Sequence, residues 1–121
     1  MKQIKYDLEN RLVDFGVLII HLSSGMNSKS YGGMHLAGQL IRSGTSPGLH
    51  YGEAQSAESR RDFIHKMKLV LKELNESRAN LKMIHKAKLH KSPTQVQSAI
   101  EECIELIKIF QASIQTARKC N

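Results

Sequence analysis

Apolar residues recur along this chain in steps of three and four, the period of a helix face and not of a strand. Leu8, Leu12, Phe15, Ile19 and Leu22 follow a 4-3-4-3 spacing just after Asp7, a residue type that caps helix starts. The spacing predicts a first helix from about Asp7 to Ser24, closed by the turn residues Gly25-Met26-Asn27-Ser28. Val13, Val17 and Ile20 form a second apolar stripe beside the first, wider than one partner helix needs, which points to self-association. The pattern then weakens. Met34, Ala37 and Ile41 share a face next to Leu40, while Gly32, Gly33 and Gly38 lower helix propensity, so a short second helix is expected.

Both prolines follow serines, at Ser46-Pro47 and Ser92-Pro93. Serine caps helix N-termini, and proline suits the first helical position because its missing N–H would be unpaired there anyway. Both pairs therefore read as helix starts. On this reading residues 42–48 turn a corner and a third helix runs from about Pro47 to Leu89. It carries Phe63, Met67, Val70, Leu74, Leu81 and Ile84, with Ser77 as the one polar interruption. About forty helical residues would extend roughly 60 Å, so a bend near Gly48 to Gly52 or a projecting end is expected. A fourth helix begins at Ser92-Pro93, where Ser92 and Gln95 have capping-box spacing, and carries Val96, Ile100, Cys103, Ile107, Phe110 and Ile114. The expected fold is all-α: one domain over residues 1–121, an antiparallel up-and-down four-helix bundle with the third helix longest.

A chain of 121 residues can bury a core without disulfide or metal. Cys103 and Cys120 fall on one predicted helix roughly 25 Å apart, too far to bridge. Two free thiols, one buried and one in the tail, suit a reducing cytoplasm. The longest uninterrupted apolar run, Val17 to Ile20, is too short for a membrane span, and no secretory pattern opens the chain. A cytoplasmic protein without a membrane partner is expected.

Catalytic chemistry finds little support. Bundle metal sites require paired Glu-x-x-His motifs, and the nearest approach is a single Asp62-Phe63-Ile64-His65. The six histidines are scattered and read as surface or interface positions. No Gly-x-Ser-x-Gly, phosphate loop or dinucleotide fingerprint occurs, and Cys103 sits on an apolar seam that disfavours its thiolate. No catalytic residue, metal or cofactor is expected.

Charge is more informative. The net charge is +7, and residues 47–92 hold ten basic against five acidic side chains. On a helical wheel Arg61, His65, Lys68, Lys72, Lys82 and Lys86 point one way, broadly opposite the apolar seam, while Glu58, Asp62, Glu73 and Glu76 line a neighbouring strip. Three readings are open: a solvated face, a phosphate-binding stripe, or acid–base contacts between subunits. We take the second as the working expectation. Arg61, Lys68, Lys72, Lys82 and Lys86 are then contacts to the backbone of structured RNA, with no base-reading motif beside them. The rival is a scaffold or accessory subunit that docks an acidic protein partner.

Leu36-Ala37-Gly38-Gln39-Leu40-Ile41-Arg42-Ser43-Gly44-Thr45-Ser46, His50-Tyr51-Gly52-Glu53-Ala54, Arg61-Asp62-Phe63 and Leu71-Lys72-Glu73-Leu74 together resemble the bacterial four-helix bundle proteins encoded in rRNA intervening sequences, over about Tyr6 to Ile114. His50 and Ala54 stand where that family usually has asparagine and glycine. The resemblance implies a left-handed bundle that assembles into a ring, commonly a pentamer with a basic central surface. A related group serves as accessory proteins to reverse transcriptases of diversity-generating retroelements, which implies nucleic acid or a nucleic-acid enzyme as partner. It also implies that Arg42, Ser46 and Glu53 are structural or interface residues at the helix corner, with Glu53 in the first turn of the third helix.

Overall fold

The computed structural model describes residues 7–119. Four helices follow in order: α1 (Leu8–Ser23), α2 (Tyr31–Gln55), α3 (Arg60–Lys86) and α4 (Pro93–Lys119). Successive helices pack side by side, α4 returns to α1 through a smaller contact, and the diagonal α2/α4 pair meets through side chains, as where Tyr51 touches Phe110. This is the up-and-down bundle expected from the apolar periodicity. Among the described residues no helix is long and apolar enough to cross a membrane.

Both ends of the sequence reading fit. The Asp7 carboxylate accepts from the Asn10 N–H at 3.1 Å and starts α1. Ser92 Oγ accepts from the Gln95 N–H at 3.3 Å and starts α4 at Pro93. The apolar positions of α1 and α4 lie inside: Phe15, Ile19, Val96, Cys103 and Phe110 are essentially fully buried. Burying each large apolar side chain contributes about 1.5–3 kcal/mol. Cys120 lies outside the described residues.

The middle of the chain departs from expectation. Pro47 starts no helix. It lies within α2, which runs unbroken through residues 42–48. Here proline forfeits the N–H that would bond the carbonyl of Ser43. Hydroxyls beside it fold back on the preceding turn, Ser46 Oγ donating to the Arg42 carbonyl and Thr45 Oγ1 to that of Ile41, each at 2.7 Å. The real corner is at residues 56–59, and Ser59 is the cap, its hydroxyl accepting from the Asp62 N–H at 3.0 Å. The second helix is therefore 25 residues and not short, and the third, at 27, shares the greatest length with the fourth. No projecting 60 Å rod results.

The face of α2 is also corrected. Met34 and Ile41 are exposed, whereas Leu40, Ser43, Gly44 and Pro47 are buried. Gly44 lets α2 approach α1: a Cβ there would meet the side chain of Ile19 at 2.7–3.0 Å.

Candidate nucleic-acid interface

α3 presents two opposed faces. Met67, Val70, Leu74, Leu81 and Ile84 are buried in the bundle. Arg61, His65, Lys68, Lys72, Lys82 and Lys86 are all exposed. From Arg61 to Lys86 the stripe spans roughly 38 Å along the helix axis. Arg61, Lys68, Lys82 and Lys86 join no ion pair among the described residues. Lys72 feels the charge of Glu76.

Two acids of the neighbouring strip turn to α2. Arg42 bonds Glu73 at 3.2 Å and Glu76 at 2.9 Å. The guanidinium holds the Glu76 carboxyl below the ordinary carboxylate range, and the pair raises Arg42 in turn. Glu53 sits in the last turn of α2, not the first of α3, at the end of the helix where the backbone dipole disfavours a carboxylate. His50 at 3.5 Å and Lys66 at 3.4 Å offset this and lower its pKa. Ser46 spends its hydroxyl on the Arg42 carbonyl. Arg42, Ser46 and Glu53 thus lie along the α2/α3 seam and form no corner cluster.

Deeper in the same seam is a polar knot that the sequence reading missed. Ser77 Oγ donates to Ser43 Oγ at 3.0 Å, and Asn80 Nδ2 donates to the same oxygen at 3.2 Å. All three residues are buried. The interruption of the α3 repeat at Ser77 was its visible sign; its partner on α2, Ser43, was hidden by the misplaced corner.

The α1–α2 and α3–α4 loops meet at one end of the bundle. The Asn27 N–H donates to the Leu89 carbonyl at 2.8 Å and the Lys91 N–H to the Gly25 carbonyl at 3.0 Å. His90, expected at the surface, is buried between them. Its Nδ1 accepts from the Ser92 N–H at 2.8 Å, which leaves Nε2 to donate to the Leu22 carbonyl at 2.7 Å. The capping box at Ser92 is therefore half-formed, since its N–H goes to His90 and not to Gln95. A Cβ on Gly25 would collide with the His90 ring. Lys88 takes the left-handed conformation, φ 56°, at the position after the α3 C-cap where glycine is usual.

Chemistry elsewhere is sparse. The Cys103 thiol donates to the Leu74 carbonyl at 3.1 Å, and burial pushes its pKa up to about 12, so it is held protonated. Among the described residues no three His, Cys, Asp or Glu side chains converge to hold a metal ion. A groove of about 500 Å³ between the start of α3 and the end of α4 is lined by Leu8, Phe63, Ile109 and small residues, with no titratable group.

The family model of the 23S rRNA-intervening sequence protein matches residues 6–112. The chain belongs to that family. The residues that carry its resemblance, Leu36 to Ser46, His50 to Ala54, Arg61 to Phe63 and Leu71 to Leu74, lie on α2 and α3. A crystal structure of a protein with unknown function from the S23 ribosomal protein family of Bacteroides thetaiotaomicron VPI-5482 is similar, with a TM-score of 0.80 and 29% identity. The likeness covers 88% of this chain and 97% of that one. No curated protein matches the chain. Membership in the 23S rRNA-intervening sequence protein family fixes the bundle and brings no activity with it.

Proposed function

We propose that this protein is a non-catalytic, self-associating bundle that holds the phosphate backbone of structured RNA on the outer face of α3. The observation that supports this best is the exposure of Arg61, Lys68, Lys72, Lys82 and Lys86 along one side, while Glu73 and Glu76 are drawn aside by Arg42. Arg61, Lys68, Lys82 and Lys86, which join no ion pair among the described residues, are available to displace the counterions of a polyanion. Such binding reads backbone and shape more than sequence.

Self-association is supported by a different surface. Val13, Val17 and Ile20 on α1 remain between 44% and 49% exposed, and Ile41, Met34 and Leu49 on α2 are exposed as well. An apolar surface of this kind favours a second copy over water. The exposed cations of α3 also suit an acidic protein surface, which supports the second reading, an accessory scaffold whose basic stripe docks an acidic partner.

The test is salt-dependent RNA retention. Between 50 and 200 mM salt, five phosphate contacts predict a loss in affinity of roughly a hundredfold on single strands and roughly five hundredfold on duplex. Lys68→Glu and Lys86→Glu should each flatten the salt slope by about one. No retention of RNA or DNA at low salt ends this reading. Native mass spectrometry of the wild type and Val17→Glu reads the oligomer, which the substitution should dissociate into folded monomers.

A further inference from the structure

The hairpin topology sorts the charge of this bundle by end. Residues 15–52 contain no acidic side chain, and neither do residues 77–100. In sequence these are two separate stretches. In the fold the end of α1, the start of α2, the end of α3 and the start of α4 come together, tied by the hydrogen bonds between the two loops. The result is a loop end with no carboxylate. It presents Lys29, Lys82, Lys86, Lys88 and Lys91, all exposed. At the other end Glu53, Glu58 and Asp62 lie among the basic residues.

This same end carries an apolar groove of about 690 Å³ between α2 and α3. Leu36, Met83, Ala87 and Leu89 line it, and Lys82 and Lys86 rim it. Met83 is 49% exposed, a large apolar side chain left open between two cations. Lys82 and Lys86 are one helical turn apart, with Cβ atoms about 5–6 Å from each other. Tyr31, next to the lining residue Gly32, is 91% exposed. An aromatic ring left in water beside a basic groove is well placed to stack on a base.

Resting on the phosphate-binding reading above, we propose that this groove takes one unstacked base of a single RNA strand against Met83 and Leu36, with the flanking phosphates on Lys82 and Lys86. Charge complementarity selects a polyanion, because no carboxylate at this end opposes it. The groove's shape selects a base over an acidic helix. A docked helix needs several anchor pockets in series, whereas here Met83 is the one large apolar side chain of the lining left open, between two cations. The protein would then favour loops, bulges or strand ends over uninterrupted duplex.

The test uses the full chain and fluorescence anisotropy with three labelled probes: a single-stranded RNA, the same strand with abasic residues in its middle, and the matching duplex. The abasic strand keeps every phosphate. We expect it to bind about tenfold more weakly than the intact strand, the scale of one lost stacking contact. Met83→Gln and Tyr31→Ala, both at exposed positions, should weaken the intact strand severalfold and leave the abasic strand unchanged, with circular dichroism confirming the fold. Equal affinity for intact and abasic strands overturns the groove assignment and leaves phosphate binding standing. Binding of an acidic helical peptide that depends on Met83, with none of base-bearing RNA, overturns it as well. Failure to retain any RNA at low salt removes both readings.

Discussion

The two ends of the bundle are held by different forces. At the loop end the helices are tied by hydrogen bonds between backbones and by the buried ring of His90, and every charged side chain is basic. At the opposite end Tyr51 meets Phe110 edge to face, ring centres 5.6 Å apart, and acids alternate with bases, as in the Glu53–Lys66 pair. Burial raises the pKa of Tyr51, and Glu9 and Asp7 add to the shift. Both ends bury apolar side chains, Leu22, Ile84 and Val96 among them at the loop end; the far end adds local ion pairs, while the loop end adds directional bonds and keeps unpaired cations. Ion pairing at the far end leaves fewer of its basic groups to engage an outside anion. The carboxylate-free end has no such internal competitor.

The largest test of this contrast is Phe110→Ala. It removes a fully buried ring from the packed end and should cost about 3–5 kcal/mol, read by denaturant unfolding. His90→Leu should cost less, about 1–3 kcal/mol, by leaving the Leu22 carbonyl and the Ser92 N–H without their partner. Amide exchange should then accelerate at residues 25–27 and 89–92, with the Phe110 end protected; uniform acceleration would erase the distinction between the ends. Lys88→Gly is expected to raise stability by up to about 1 kcal/mol, since glycine tolerates the left-handed backbone that lysine is forced to adopt. The gain should come with weaker RNA retention if that lysine contributes to the basic end.

The smallest effect is the acid response of the α2/α3 seam. Glu53, beside His50 and Lys66, and Glu76, beside Arg42, both have carboxyls lowered in the fold. Their stabilising contribution is complete above the ordinary carboxylate range and lost as pH falls through that range and below it. Because these groups lie at the surface, solvent screening keeps the effect small. A shallow decline in melting temperature on acidification, flattened by Arg42→Gln, is the expected outcome.

The parts legible in sequence were those set by local chemistry. Asp7 and Ser92 cap helices wherever such residues precede a 3-4 apolar repeat, and the repeats of α1 and α4 point inward as spaced. A further local signal went unused. Ser59 followed by Asp62, just ahead of Phe63 and Ile64, is an N-terminal capping pattern, and it marks the true start of α3. The proline at position 47 outweighed it in the reading, although tertiary packing of α2 on α1 and α3 keeps that helix continuous. Misplacing the corner moved Ser43 out of register with Ser77 and Asn80, so their hydrogen bonds could not be inferred.

By itself the sequence determined four helices, three of them amphipathic, and a basic excess on the third, because side-chain period and capping act over a few residues. Only the tertiary structure decided that two distant acid-free stretches share one end, that Glu73 and Glu76 turn to Arg42, and that His90 is a buried tie. Those outcomes depend on which helix faces meet, and contacts between residues tens of positions apart are set by packing of the whole bundle, not by any local pattern.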